Sequence, residues 1–196
     1  MSVLALLLTA LPLSARRFSF GVEGSVALNF ASYNNMAYRT DMGYRVFDKA
    51  VHRETYAIGE VLGMATANIS KMFRMSLLSG YCGLENGLRM VPIELRGIVV
   101  FPQMTHSGSG LYLQAGGGVA FPIQEIFNAG ALVRGGLGYS VNLNNLARIN
   151  FGFTYRMVYF NPVIYDPDTD EIIPPHDIMQ NTRFVSSFCF SISIEI

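Results

Sequence analysis

The sequence predicts an all-β protein: a closed antiparallel up-and-down transmembrane β-barrel of about eight strands, or ten if the first long connection hides a hairpin. Three observations carry this. The chain of 196 residues is 51% hydrophobic but only 14% charged, well below the roughly 25% charge of soluble globular chains. Its mean hydropathy of +0.31 would suit membrane helices, yet after the N-terminus no apolar stretch reaches the ~18 residues a helix needs to span. The apolar residues instead alternate with small polar ones in short runs broken by Gly, Asn, Asp, Pro and Ser. A hydrophobic chain without helical spans has one other way to satisfy every backbone group in lipid, which is a closed barrel.

The first element is not part of the barrel. Residues 3–13 form a largely apolar run, closed by Ser14-Ala15 before Arg16-Arg17. That length and ending read as a secretory signal, too short for an anchor. We expect cleavage after Ala15, leaving residues 16–196 as one barrel domain.

The first strand is expected over residues 18–30. Its even positions (Phe18, Phe20, Val22, Gly24, Val26, Leu28, Phe30) are mostly apolar, and its odd positions (Ser19, Gly21, Glu23, Ser25, Ala27, Asn29) are small or polar. Side chains alternate between the faces of a strand, so this one has a greasy face and a polar face. The second strand, 55–66, carries Glu60 on the face of Tyr56, Ile58, Leu62 and Met64, opposite a face of small residues. A charge facing lipid at mid-depth is costly, so Glu60 is turned inward and the small face outward. Further strands are expected at 72–84, 88–101, 111–121, 131–142 and 148–160, with the last closing the chain from Phe184 to Ile196. Fourteen Phe, ten Tyr and nineteen Gly suit such strands and their turns. Glu85-Asn86-Gly87 is a hairpin signal. Long connections at 31–54 and 161–182 face outward, and the returning ones are shorter, the asymmetry of outer-membrane barrels.

Which face points inward follows from composition. The polar faces hold Ser, Gly, Asn and isolated Arg or Glu, and the chain has twelve Arg against two Lys, Lys49 and Lys71. A solvated face would be rich in Lys and Glu. A narrow lumen favours Arg, whose planar fork matches carboxylates. By parity the lumen network comprises Glu23, Glu60, Arg74, Glu94, Arg96, Arg134, Arg148 and Arg156, with Glu195 at the rim. Tyr33, Tyr56, Tyr81, Tyr139, Tyr155 and Tyr159 lie toward strand ends, where aromatic girdles form. Cys82 and Cys189 fall on strands that are not neighbours, so two free buried thiols are expected.

Val91-Pro92-Ile93-Glu94-Leu95-Arg96-Gly97, the run Ala115-Gly116-Gly117-Gly118, then Gly135-Gly136-Leu137-Gly138-Tyr139 and the alternating terminal strand together resemble the small outer-membrane β-barrels of Bacteroidota, of OmpA or OmpX type. The resemblance covers nearly the whole mature chain and implies an outer-membrane location, without an active site.

Other chemistry is weakly encoded. His52, His106 and His176 all lie in connections. Thr105-His106-Ser107 lacks a nearby acid to orient a Ser–His pair. Asp166-Pro167-Asp168-Thr169-Asp170-Glu171 begins like a calcium loop but has Glu171 where Gly is needed and Asp177 where a bidentate Glu should stand; it reads as a hairpin tip. We expect no metal, no cofactor and no enzyme. Zero net charge gives no reason to expect nucleic acid. The expected partners are outer-membrane lipid and, through the loops of a monomer, surface glycans or envelope proteins. A narrow channel for small or hydrophobic solutes is the second reading, and a lipid-modifying enzyme the third.

Overall fold

A computed structural model describes residues 18–53, 55–70, 72–84, 87–101, 109–124, 128–143, 147–166, 169 and 171–196. The expected signal segment, His106 and the Glu85-Asn86 half of the hairpin signal lie outside these residues. The strands are β1 (Phe18–Arg39), β2 (Arg45–His52), β3 (Tyr56–Asn68), β4 (Phe73–Gly83), β5 (Arg89–Val100), β6 (Gly110–Pro122), β7 (Gly130–Asn142), β8 (Arg148–Phe160) and β9 (Ile178–Glu195). Each of β3 to β8 pairs antiparallel with the next, and β1 pairs with both β3 and β9. Eight staves thus close on themselves, which removes every free sheet edge at membrane depth.

The remaining strand, β2, corrects the expectation of a 31–54 loop. β1 continues past the barrel rim to Arg39, turns back, and pairs with β2 from Ser32↔His52 to Arg39↔Arg45. The first connection therefore does hide a hairpin, but it stacks above β3 along β1 instead of widening the barrel to ten. Outside the bilayer neither face must be greasy, so the period-2 apolar signal fades while the backbone ladder persists. The connection before β9 is likewise shorter than expected, because β9 begins at Ile178.

One irregularity sets the orientation of this ribbon. Against β9, the β1 register steps from Asn29↔Ser187 to Ala31↔Ser186, so Phe30 is an extra residue. Such a bulge shifts side-chain parity. Below it the buried positions are odd (Glu23, Ser25, Ala27, Asn29); above it they include Ser32 and Asn34.

Along the barrel, the outward positions carry exposed apolar side chains: Phe20 at 68%, Val61 at 57%, Val133 at 55% and Ile192 at 54%. An apolar belt around the whole sheet is incompatible with water and natural in lipid. Inside, glycines make room. A Cβ added at Gly138 would stand 2.3 Å from the Tyr112 ring, and one at Gly118 would stand 1.9 Å from the Ile93 carbonyl oxygen.

Two outcomes follow. The protein should need detergent, give a β-type circular dichroism spectrum, and migrate differently on SDS gels before and after boiling. Gly138→Val should overfill the lumen and destabilise the barrel by about 1–3 kcal/mol, read as a lower temperature for loss of the unboiled gel form.

Candidate functional site

The lumen holds the chemistry, and its charges fall into two groups. The central group gathers Glu23 from β1, Glu60 from β3, Glu94 and Arg96 from β5, Arg134 from β7 and Arg156 from β8. All six are buried, and their formal charges cancel. Arg96 forks onto Glu23 with nitrogen–oxygen distances of 2.8 and 3.2 Å, and its Nε donates to Glu94 at 2.9 Å. Arg134 reaches three acids: Glu60 at 3.1 Å, Glu94 at 3.3 Å and Glu23 at 3.8 Å. Arg156 also binds Glu60. Glu60 is the hub, since it additionally accepts from Ser25 Oγ and, at 2.8 Å, from the Cys82 thiol. Its inward rotation puts Leu62 and Met64 on the lumen side as well, where they pack with Leu78.

The second group lies near the chain termini. Glu195 is 3.5 Å from Arg148 and 4.0 Å from Arg74, and accepts from Asn150 at 2.7 Å. Here arginine exceeds glutamate by one, and the Arg148 side chain is 26% exposed. Arg148 is the nearer partner of Glu195 and also donates to Asn142 at 2.9 Å, so the surplus charge falls on Arg74, whose side chain is only 6% exposed. The structure thus brings all eight sequence-derived lumen residues onto inward positions, in a central cluster and a rim cluster.

What parity did not reveal is the apolar seal. At the long-loop end, Cys82, Leu84, Met90, Ala120, Leu132, Val158, Phe160 and Val185 form a buried cluster. Ile98, Val100 and Tyr112 form another toward the opposite end, on β5 and β6. The signal was present in the even positions of β8, where Val158 and Phe160 follow Arg156 on the inward face. Cys82 and Cys189 are free and buried.

The tyrosines divide. Tyr33, Phe184 and Tyr159 form an aromatic row, with ring centroids 6.3 and 5.0 Å apart. Tyr155 packs beside Phe188 and Phe30. Tyr81 and Tyr139 are outward and partly exposed. Tyr56 departs from the expectation: it pairs with Asn29, whose side chain is buried, and shares the inward face with Glu60, so it is not a girdle residue. On the lipid side, Gly24 and Gly59 leave a groove of about 920 Å³ among Val26, Val61, Tyr81, Phe151, Phe190 and Ile192.

The outer elements are tied to the barrel. The Asp166 carboxylate accepts from the Asp41 backbone N–H at 3.0 Å, and Tyr165↔Ile172 bridges a small hairpin. Asp166 is thus engaged in a backbone hydrogen bond, and Pro167, Asp168 and Asp170 lie outside the described residues. His52 is exposed, and His176 lies 3.0 Å from Asp177. Each lumen glutamate is already engaged by arginine, so no carboxylate pair stands open to ligate a cation.

A search of family models found no match for the chain, and no curated protein matches either. Solved structures do. AlkL, an outer-membrane protein determined by solid-state NMR in DMPC bilayers, superposes with a TM-score of 0.54 at 9% identity, over 95% of this chain and 94% of its own. The outer-membrane protein OprG from Pseudomonas aeruginosa gives 0.51 at 15% identity, over 91% and 95%. The Neisserial surface protein NspA gives 0.49 at 12%, over 90% and 97%. The fold is that of a small outer-membrane β-barrel. At these identities the likeness extends to architecture alone.

The hub sets a ranking of substitutions. Glu60→Ala leaves Arg134 and Arg156 short of a counter-charge in a buried site, which should cost about 3–5 kcal/mol. Arg148→Gln at the rim should cost under about 1 kcal/mol. Urea titration of the unboiled gel form in detergent checks the order; equal losses would mean the central cluster is not the stabilising one.

Proposed function

We propose that this chain is an outer-membrane component that works by contact through its outer ribbon and loops, with its lumen serving as a filled polar core. The observation that carries this reading is the charge-balanced Glu23–Glu60–Glu94–Arg96–Arg134–Arg156 cluster capped by the apolar layer around Met90, Leu132 and Phe160. An ion entering that space would have to displace guanidinium–carboxylate pairs and then cross an apolar layer. An eight-stranded barrel is just wide enough for side chains to fill it. The same pairing supports a non-catalytic reading, because no lumen carboxylate is left without a guanidinium to act as a base. The finer affiliation to OmpA or OmpX type barrels of Bacteroidota is part of this proposal, supported by the glycine-rich strands and the terminal alternating strand.

Planar-bilayer recording tests the reading. The purified protein should give no steady conductance, and Arg134→Ala with Glu60→Ala should create one if the barrel survives. A steady wild-type pore abolished by lumen substitutions would replace this reading with that of a narrow channel.

A further inference from the structure

The β1–β2 ribbon carries three cations that pair with no acid among the described residues. Arg39, Arg45 and Lys49 are exposed. Among the described residues none of them makes an ion pair or side-chain hydrogen bond. Arg39 and Arg45 are directly opposite in the register, where side chains on one face lie about 5 Å apart and like charges repel. Lys49 shares their face by the period of two. Two acids lie near in sequence: Asp41, in the turn between the arginines, forms no ion pair with them among the described residues, and Asp48 points the other way, toward Tyr38, whose phenol is raised above its ordinary value by burial together with Asp166 and Asp48. Repulsion between unpaired cations is tolerated on a free surface, but it is relieved when an anion bridges them.

The position of this face says which anion. It continues the outward, lipid-side surface, because Val51 opposite Tyr33 lies on it and Tyr33 belongs to the aromatic row with Phe184 and Tyr159. At about 3.3 Å per residue and a tilt near 40°, Lys49 stands roughly 5 Å above that row and the Arg39–Arg45 pair roughly 15 Å above it. A phospholipid headgroup layer is only about 5–7 Å deep, so it can meet Lys49 but not the arginine pair. An anionic lipid that satisfies both must have a tall headgroup with charge at two heights. Phe47, exposed at 70% on the same face between the two levels, offers an aromatic surface to a sugar ring.

We propose that the outward face of the β1–β2 ribbon, through Lys49, Arg45 and Arg39, holds the headgroup of a phosphorylated glycolipid of the lipopolysaccharide class in the outer leaflet. Lys49 meets phosphate at the acyl boundary, and the arginine pair forks onto phosphate or carboxylate further out. The inference rests on the reading that this end faces outward and acts by contact. A conducting lumen would sink the closed-lumen reading and leave this surface untouched.

The test uses the full mature protein in phosphatidylcholine nanodiscs, titrated with rough lipopolysaccharide bearing a phosphorylated core, with diphosphoryl lipid A, and with phosphatidylglycerol. The wild type should prefer the rough lipopolysaccharide. Arg39→Gln with Arg45→Gln should weaken that binding by about tenfold or more, the equivalent of one charge-assisted hydrogen bond, while leaving lipid A binding unchanged. Lys49→Gln should weaken both. Unboiled gel mobility verifies folding; if the double variant fails to fold, wild-type binding must still weaken as salt is raised. Equal affinity of wild type and folded variants would overturn the assignment. So would undiminished binding of phosphate-stripped lipopolysaccharide, phosphatidylglycerol binding as tight as that of the rough form, equal binding of a polyglutamate peptide, or indifference to salt.

Discussion

Neutralising charge inside a space with little water is the constraint on which the rest of this molecule depends. Three glutamates and three arginines from five of the eight staves meet at the centre of the lumen, and Glu60 touches two of the arginines. An isolated buried ion is expensive; a balanced set whose members also hydrogen-bond is tolerable. The balance holds only in the observed register. Sliding one strand by two residues would keep every side chain on its proper face yet misalign donors and acceptors, so the network selects a register that the apolar belt alone would leave open.

Room for the arginines comes from elsewhere in the chain. β6 and β7 turn glycines inward where other strands turn side chains inward, and Tyr112 occupies the space that a side chain at Gly138 would need. Long guanidinium arms from β5, β7 and β8 cross the emptied centre to glutamates on β1 and β3. The same strands present Leu111, Leu113, Val133 and Leu137 outward. Small inside and bulky outside is the inverse of a soluble core, and it lets a narrow barrel be filled by a few long polar side chains instead of many short apolar ones.

Much of this was legible in the sequence, because the bilayer imposes a strict alternation on every stave that crosses it. The parity of β8, with Arg148, Asn150, Thr154 and Arg156 against Phe151, Phe153 and Tyr155, leaves one choice of inward face. Glu60 was placed correctly despite apolar neighbours, since the cost of a lipid-facing carboxylate outweighs the small area of its outer partners. Two things were not legible. β2 has no continuous greasy face, because it lies above the hydrocarbon, and Phe47 and Val51 alternate with Arg45 and Lys49 along one side. The apolar seal resembles the lipid face in composition, and only its parity, at Val158 and Phe160, separates the two. Tyr56 was assigned by its nearness to a strand end, although it shares the parity of Glu60.

The extra residue at Phe30 has a bearing beyond local geometry. It sits where β1 leaves the barrel, and it decides which of two dissimilar surfaces the protruding ribbon shows to its surroundings. Without it, the strand would carry Asn34, Met36 and Tyr38 to the outside and turn Asn35 and Arg39 over the mouth of the barrel. Deleting one residue there would leave composition, charge and the staves below almost untouched, yet exchange the cationic surface for one whose only formal charge is Asp48. The barrel and its outer ribbon are thus two inside-out patterns joined half a period out of phase, and a single insertion is the splice.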